Sequence, residues 1–313
     1  MALPNSGNSI SLNQVNVELG RSGTQSINMN ETAVRTLFAK TGSGTTISMS
    51  DGFGKANKTR VANATGGTIT YDGDWQIHTF TSSGTFTLTQ QPGTATTLKR
   101  LAVNGGDAGT SGDSNANGGS GASYRVETIN TNYYTVNTGY TQTVGAGGTG
   151  FPGYGGGSVL RDYYGNYNPT TAGGGYGSGG YNSTPPVAGG SGYAGSTTTI
   201  GSGTVEFSGG GGGGGGGGDS IPDDYTNAFG ADGGAGGSPG GGGQGGQGGS
   251  ILAPYGGYTN GNLEYQNGSS GQNGQAYGAG GGGGGCAPSG GGTYGAGGNG
   301  SAGVVIIAFI YQQ

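Results

Sequence analysis

Two side chains in this sequence could serve nucleophilic catalysis, and each stands alone. His78 is the sole histidine and Cys286 the sole cysteine, so a Ser-His-Asp or Cys-His arrangement would have to be built around one of them. His78 falls inside an alternating, strand-like segment, and Cys286 follows six consecutive glycines without a basic neighbour to activate its thiol. We therefore interpret His78 as a satisfied strand residue and Cys286 as a small buried residue, and we predict no enzymatic activity.

Paired carboxylates are the groups that a glycan-cleaving enzyme would need. Candidates occur in two places, Asp72 with Asp74, and Asp219 with Asp223 and Asp224. Both groups lie beside Gly or Pro in turn-like settings, which favours solvated loop acids, and the first lacks the remaining ligands of a calcium loop. The repeated G-x-G-x-x-G matches follow from the glycine content, and the Gly-Lys-Ser/Thr of a P-loop is absent from the sequence. We predict neither a cofactor nor a metal.

Tyrosine provides the strongest candidate for binding. Eighteen of the nineteen tyrosines follow residue 104, many of them in short polar inserts between glycine runs. A tyrosine ring offers a large rigid contact area and a hydroxyl group at low entropic cost; the alternative is that these rings pack over the ends of the glycine-rich structure. The aromatic residues that we nominate for binding are Tyr163, Tyr164, Tyr167, Tyr225, Phe229, Tyr255, Tyr258 and Tyr265.

These candidates belong to a chain whose composition changes near residue 104. Twelve of the 85 glycines precede that point, and the later part carries only Arg125 and Arg161 against ten acidic residues. An acidic surface repels phosphate, so we do not expect binding to nucleic acid.

One cysteine allows no disulfide within the chain, and the longest apolar run, at 304–311, is too short to span a membrane. We expect a soluble chain made in the cytoplasm, without membrane insertion.

The first sixty residues have the pattern of a small α+β region. Alternating apolar residues predict a strand over 9–19, and 45–49 predicts a second. Asn28 followed by Glu31 has the form of a capping box, after which the apolar residues of 33–38 share one face of a helix that ends before Gly42. Because its core is so small, the region is expected to depend on a partner.

Three predicted β segments lie before and after the glycine-rich part of the chain. Residues 75–89 alternate on both sides of Ser82-Ser83-Gly84 and predict a hairpin. Further strands are predicted at 98–103 and at 303–311, where the apolar run would need burial on both faces. The residues predicted to point inward in the hairpin are Ile77, Phe80, Phe86 and Leu88.

The glycine runs predict either disorder or an unusual lattice. Ordering the ten glycines at 209–218 costs more backbone entropy than ordering ten residues of any other type. The lack of a strict Gly-X-Y period excludes collagen. The ordered alternative is a bundle of extended helices of polyproline II shape, with three residues per turn and about 3.1 Å rise. Without a Cβ, neighbouring backbones can exchange hydrogen bonds in several lateral directions, and side chains are confined to the ends.

Four segments resemble the glycine-rich domain of tail fibres and other structural proteins of tailed bacteriophages. They are WQIHTFTSSGTFTLT, LKRLAVNGGDAG, YTVNTGYTQTVGAGGTG and GGNGSAGVVIIAFIY, and the resemblance covers about residues 75–313. It implies a sandwich of polyglycine II helices whose distal loops contact a bacterial surface protein or glycan. The predicted fold class is mainly irregular and β: a small α+β N-terminal region, a β-hairpin and short sheet, then packed polyglycine II helices with tyrosine-rich loops.

Residues 9–55 are similar to a short region near the start of many phage virion proteins, in which the elements LG-x-S and SMSD-x-x-G-K recur. The resemblance implies a virion-anchoring region at 1–60 that contacts other virion proteins. A linker with the β-hairpin and first strand would follow at 61–104, and a polyglycine II adhesin domain at 105–313, closed by the strand at 303–311. Because phage fibres are often trimeric, a homotrimer is the expected oligomer.

The leading hypothesis is a non-enzymatic receptor-binding protein of a tail fibre or tail tip, located in the virion and mediating attachment to the host surface. The alternative is a purely structural virion component, such as a capsid decoration or tail subunit, without receptor binding. Two further hypotheses are an ice- or surface-binding protein, which thermal hysteresis would reveal, and a glycan depolymerase, which would release sugar fragments.

Overall fold

The chain divides into two compact units, Met1–Val61 with Tyr311–Gln313 and Ala62–Ile310. Strands and irregular extended segments make up most of the second unit, and two short helices lie in the first. The predicted fold class, mainly β and irregular, is confirmed. The computed structural model describes residues 3–19, 21–42, 44–55, 62–91, 97–113, 116–150, 153–163, 165–167, 169, 177–180, 186–217, 229–252, 264–288 and 291–311.

The N-terminal unit begins with a helix where apolar alternation predicted a strand. Helix α1 spans Leu12–Glu18, so the strand predicted over 9–19 is wrong. The Ser11 hydroxyl accepts a hydrogen bond from the Gln14 backbone N–H (3.2 Å), and the Gln14 side-chain oxygen accepts one from the Ser11 N–H (2.7 Å). This reciprocal cap satisfies two backbone donors at the helix start, and the short apolar alternation does not reveal it.

Helix α2 spans Thr32–Leu37 and is shorter than the predicted helix. The predicted capping box does not form, because the Asn28 side chain accepts a hydrogen bond from a backbone N–H two residues later (2.9 Å). Glu31 is the N-cap instead and makes no side-chain bond to the helix. The apolar face of this helix is confirmed by the burial of Val34 and Leu37.

A 3-10 turn at Met49–Gly52 occupies part of the segment that was predicted to be a strand at 45–49, so that prediction is also wrong. Ser48 and Asp51 form a capping box around the turn, which local polar residues favour over extended pairing. Gly52 lies against Phe38, since an added Cβ would stand 2.7 Å from the ring. The buried core of this unit consists of Leu3, Val15, Val34, Leu37 and Phe38.

The second unit contains fourteen short strands within the described residues. They are β1 (Asn63–Thr65), β2 (Thr68–Asp72), β3 (Trp75–Phe80), β4 (Gly84–Gln90), β5 (Thr97–Val103), β6 (Tyr124–Asn130), β7 (Gly139–Gln142), β8 (Leu160–Asp162), β9 (Gly165–Tyr167), β10 (Ser196–Ile200), β11 (Gly203–Phe207), β12 (Ile251–Leu252), β13 (Glu264–Tyr265) and β14 (Val304–Ile310). Five form an antiparallel sheet in the order β2-β3-β14-β5-β6, three form the sheet β1-β4-β7, and six form the two-stranded pairs β8–β9, β10–β11 and β12–β13.

Strand β14 lies at the centre of the five-stranded sheet, between β3 and β5. Its even-numbered residues, such as Ile306, join a buried cluster with Leu101 and Phe207. On the opposite face, Phe309 stacks on His78 with ring centroids 5.8 Å apart. The prediction that this apolar strand is buried on both faces is confirmed.

Residues 75–89 do not form the predicted hairpin. Strand β3 pairs with β2 and β14, whereas β4 pairs with β1 and β7 in the other sheet. Phe80 and Phe86 are buried as predicted, but Ile77 lies on the opposite face of β3, against the cluster that contains Phe207. Alternation determines which side chains share a face, and it does not determine which strands pair.

Between β5 and β14 the chain forms extended glycine-rich segments, called tracts here, whose hydrogen bonds recur every three residues. In the tract 208–217, the N–H groups of 209–216 donate over 2.7–3.0 Å to three neighbouring tracts in rotation, at 240–246, 187–193 and 116–119. Its carbonyl oxygens accept from three others, at 280–286, 231–237 and 177–180. A three-residue period with lateral bonds is the geometry of polyglycine II.

These lateral bonds arrange the tracts in three layers. The tracts 208–217 and 278–288 occupy the middle layer, each is surrounded by six neighbours, and all of their described residues are buried. The outer layer consists of 229–237, 240–250 and 266–275; the middle layer of 186–195, 208–217, 278–288 and 291–303; and the third layer of 177–180, 116–122, 104–112 and 144–150. One further tract, 153–158, lies beyond the third layer and bonds to 104–112 and 144–150.

Glycine is required where these backbones touch. A Cβ added to Gly212 would stand 2.1 Å from the carbonyl oxygen of Gly234, and one added to Gly283 would stand 2.0 Å from that of Ala116. Neither backbone can withdraw without breaking its own lattice hydrogen bonds, and close-packed interiors do not absorb such volume. The tracts therefore form a rigid frame whose side chains lie at its outer faces and ends.

Candidate functional site

The tracts have two ends, which are defined by the five-stranded sheet. Val103 and Val304 pair where the inner strands β5 and β14 end and begin. The tracts that continue from them run side by side, with Gly106 donating to Ser301 and Gly112 donating to Gly295. Gly112 and Gly295 thus lie remote from the sheet. We call this remote end the distal end, and the other the sheet end.

Two nominated residues, Phe229 and Tyr265, lie at the distal end. The Ala231 N–H donates to the carbonyl oxygen of Gly216, which lies near the distal end of the tract 208–217. The Gln266 N–H donates to the carbonyl oxygen of Ser250, at the distal end of the tract 240–250. The Phe229 side chain is 63% exposed. Tyr265 is half-buried in β13, and its ring lies over Gly291, where an added Cβ would stand 2.8 Å from the ring.

The other aromatic candidates of this group lie outside the described residues. Tyr225 belongs to 218–228, and Tyr255 and Tyr258 belong to 253–263. The described residues that flank these two segments, Gly217 with Phe229 and Leu252 with Glu264, lie at the distal end.

The other described candidates, Tyr163 and Tyr167, lie at the sheet end. Tyr163 follows β8, its N–H donates to the Tyr133 carbonyl oxygen (2.9 Å), and its side chain is 66% exposed. The Gln142 side chain, next to the sheet end, donates to the Arg161 carbonyl oxygen (3.0 Å). Tyr167 lies in β9, opposite Leu160, and Tyr164 is outside the described residues. The four nominated residues that the structure describes are therefore divided between the two ends.

Sequence reasoning missed a set of aromatic side chains within the tracts themselves. Tyr154, Tyr193 and Tyr294 are 79%, 68% and 53% exposed. Tyr193 takes part in the lattice through its carbonyl oxygen, which accepts from the Gly210 N–H (3.0 Å). A single tyrosine inside a glycine run marks an outward position of a tract at the boundary of the lattice, and that signal was available in the sequence.

His78 is enclosed by aromatic rings in the strand position that was predicted for it. Its Nδ1–H donates to the Gly66 carbonyl oxygen (2.7 Å), and within the described residues its buried Nε2 has no hydrogen-bond partner. Burial lowers the pKa of this imidazole, and the bond to Gly66 opposes the shift in part. The ring lies 5.1 Å from Phe86 in an edge-on contact, so it links the two sheets as a neutral side chain.

Cys286 is buried at the distal part of its tract, as predicted. Its thiol donates to the Gly180 carbonyl oxygen at 3.6 Å. Burial raises the pKa of the thiol, and a hydrogen bond from the Gly217 N–H lowers it in part. A raised pKa opposes thiolate formation, so the arrangement suits a packing role.

Among the carboxylate candidates, Asp72 makes a structural contact. The Asp72 side chain accepts a hydrogen bond from the Ser202 N–H, and this bond lowers the pKa of the carboxyl. It thereby connects the end of β2 to the turn between β10 and β11. Asp219, Asp223 and Asp224 are outside the described residues.

In the part of the chain that is described, no cluster of His, Cys, Asp and Glu could hold a metal ion, and no helix has the length and apolarity to cross a membrane.

The fold is that of a glycine-rich domain clamped by a β-sheet. The family model of the glycine-rich domain matches residues 81–310, and the chain belongs to this family. A comparison with curated proteins finds no match.

Proposed function

We propose that this chain is a receptor-binding structural protein, an adhesin, of a tail fibre or tail tip of a tailed bacteriophage. In this role it is located in the virion and attaches the particle to a bacterial surface protein or glycan without catalysis. Residues 1–60 contact other virion proteins, and the assembled form is a homotrimer.

The observation that carries the proposal is the distribution of side chains around the lattice. Tracts built almost entirely of glycine are rigid and cannot recognise a ligand through side chains along their buried length. Phe229 and Tyr265 lie at the distal end, and in the sequence they adjoin segments rich in aromatic and acidic residues. Aromatic residues held on a rigid frame bind with a small loss of conformational entropy.

Adsorption competition tests this proposal. The purified protein is expected to reduce adsorption of the parent phage to its host when it is added before the phage. Replacing 219–228 and 253–263 by Gly-Ser segments of equal length should abolish that competition. A matched control replaces 92–96, which connect two sheet strands, in the same way and should compete as well as the original chain. Full competition by the first variant would refute attachment through the distal end.

A second function, a purely structural virion component such as a capsid decoration or tail subunit, is favoured by the exposed Tyr163 at the sheet end. An aromatic side chain far from the distal group fits a contact with a neighbouring virion subunit. Immunogold labelling of intact particles separates the two: label on the capsid or tail tube, with no competition for adsorption, supports the structural role.

A further inference from the structure

Two tracts of the outer layer, 240–250 and 266–275, present a row of exposed amide side chains. The third, 229–237, lies beside them and carries Asp232, whose carboxylate accepts a hydrogen bond from the Gln247 side chain (3.3 Å). The tracts 240–250 and 266–275 lie side by side, with the Gln272 N–H donating to the Gln244 carbonyl oxygen (2.8 Å). The exposed residues of these two tracts are mostly Gln and Asn, with Ser269 and Ser270 among them. We call this surface the amide face; its glutamines are Gln244, Gln247, Gln266, Gln272 and Gln275.

Hydrogen bonds hold part of the amide face in fixed orientations. The side-chain oxygens of Asn267 and Asn273, on the same tract, accept from the N–H groups of Thr293 and Asn299, both at 2.8 Å. The Ser269 hydroxyl accepts from the Gln247 N–H (2.7 Å). Outward positions repeat every three residues, which corresponds to about 9 Å along a tract. The face is thus a regular array on a rigid support.

The chemistry of the amide face excludes several partners. The sequence has no Lys or Arg after Arg161, so nothing here attracts nucleic acid or an anionic polymer. Growth of the lattice by a tract of a second copy is blocked, because the outward side chains occupy the space that a backbone would need. The face also lacks the large apolar side chains that dominate protein interfaces.

Amides that donate and accept hydrogen bonds at regular spacing complement a polymer with regularly repeated hydroxyl groups. We propose that the amide face binds a neutral polysaccharide chain, with the glutamine amides contacting its hydroxyl groups. The proposal stands apart from the distal-end function, because it uses different residues on a different side of the domain.

Affinity electrophoresis of the full chain tests the proposal. The probes are gels that contain a neutral glucan, a neutral galactomannan or a neutral xylan, with polygalacturonate as an anionic comparison. We expect retardation in at least one neutral gel and none in polygalacturonate. The variant Q244A/Q247A/Q272A/Q275A should weaken binding about tenfold or more, because it removes the amides and leaves each Cβ in place.

The matched control is S178A/S191A, which trims two exposed hydroxyls on other tracts. It should bind like the original chain, and circular dichroism should show the same melting temperature for all three proteins. Absence of retardation in every neutral gel, or equal retardation of the quadruple variant, would overturn the proposal. Thermal hysteresis that disappears in the quadruple variant, without glycan binding, would instead assign the face to ordered water and also overturn it.

Discussion

The tracts 208–217 and 266–275 share an extended backbone and a three-residue period, yet their compositions differ. Residues 209–217 are all glycine, whereas the second tract has glycine only at 268, 271 and 274. The first has six neighbouring tracts and the second has three, at 240–250, 278–288 and 291–303. The number of glycines in a tract therefore reports its depth in the lattice, since each close neighbour excludes a Cβ.

Amide hydrogen exchange should show the largest contrast between these tracts. The N–H groups of 209–216 are buried and hydrogen-bonded, so exchange requires the lattice to open. We expect protection of about a thousandfold or more for them and for 280–285. Ser270, exposed in the outer tract, should exchange near the rate of a free peptide. Uniformly fast exchange at both sites would show that the tracts do not form bonded rods.

Alanine substitution should show the next largest contrast. Gly212→Ala places a Cβ 2.1 Å from a backbone oxygen, and separating the tracts breaks their bonds, so we expect a loss of about 3 kcal/mol or more. Ser270→Ala, the control in the outer tract, should change the free energy of unfolding by less than about 0.5 kcal/mol. Urea unfolding followed by tyrosine fluorescence measures both, and similar losses would contradict the depth rule.

The sheets that clamp the lattice should respond to pH through His78. Because the pKa of His78 is lowered in the folded chain, the unfolded chain takes up the proton first as pH falls below about 6.5. Stability is therefore full above this value and declines as pH is lowered towards the folded-state pKa. Urea unfolding between pH 7 and pH 5 should show this decline in the original chain and a much smaller one in His78→Gln. An equal decline in stability in the two proteins would show that groups other than His78 cause the pH dependence.

The smallest expected effect concerns a side-chain bond between the outer-layer tract 266–275 and the neighbouring tract 291–303. Asn273→Ala removes the side-chain acceptor for the Asn299 N–H, at an exposed site where water can replace it. We expect a loss of about 0.5–1 kcal/mol, larger than for Ser270→Ala and well below that for Gly212→Ala. Thermal melts of the three variants test this order.

Much of the fold could be predicted because its main requirements are local. The apolar run of β14 requires burial on both faces, and glycine at every contact position requires a lattice of bare backbones. The pairing of β3 and β4 could not be predicted, because alternation is the same in a hairpin and in two packed sheets. Helix α1 was missed because the Ser11–Gln14 cap outweighs a short apolar alternation.

The division of the candidate site could also have been predicted in part. A tract that leaves the sheet is followed by a distal connection, and a tract that returns is followed by a connection at the sheet end. Residues 161–171 follow the returning tract 153–158, so Tyr163 had to lie away from Phe229. Contacts of single tyrosine rings depend on packing at the tract ends, which composition does not encode.

The central position of β14 governs the order in which the molecule can be assembled. The strands on either side of it, β3 and β5, precede it by about 200 residues of chain, so the five-stranded sheet cannot close on the ribosome until all the tracts have been synthesised. Pairings between such distant segments make folding slow. Until β14 has been synthesised, the growing polypeptide has unpaired strand edges, and these favour binding by chaperones or by other copies of the chain.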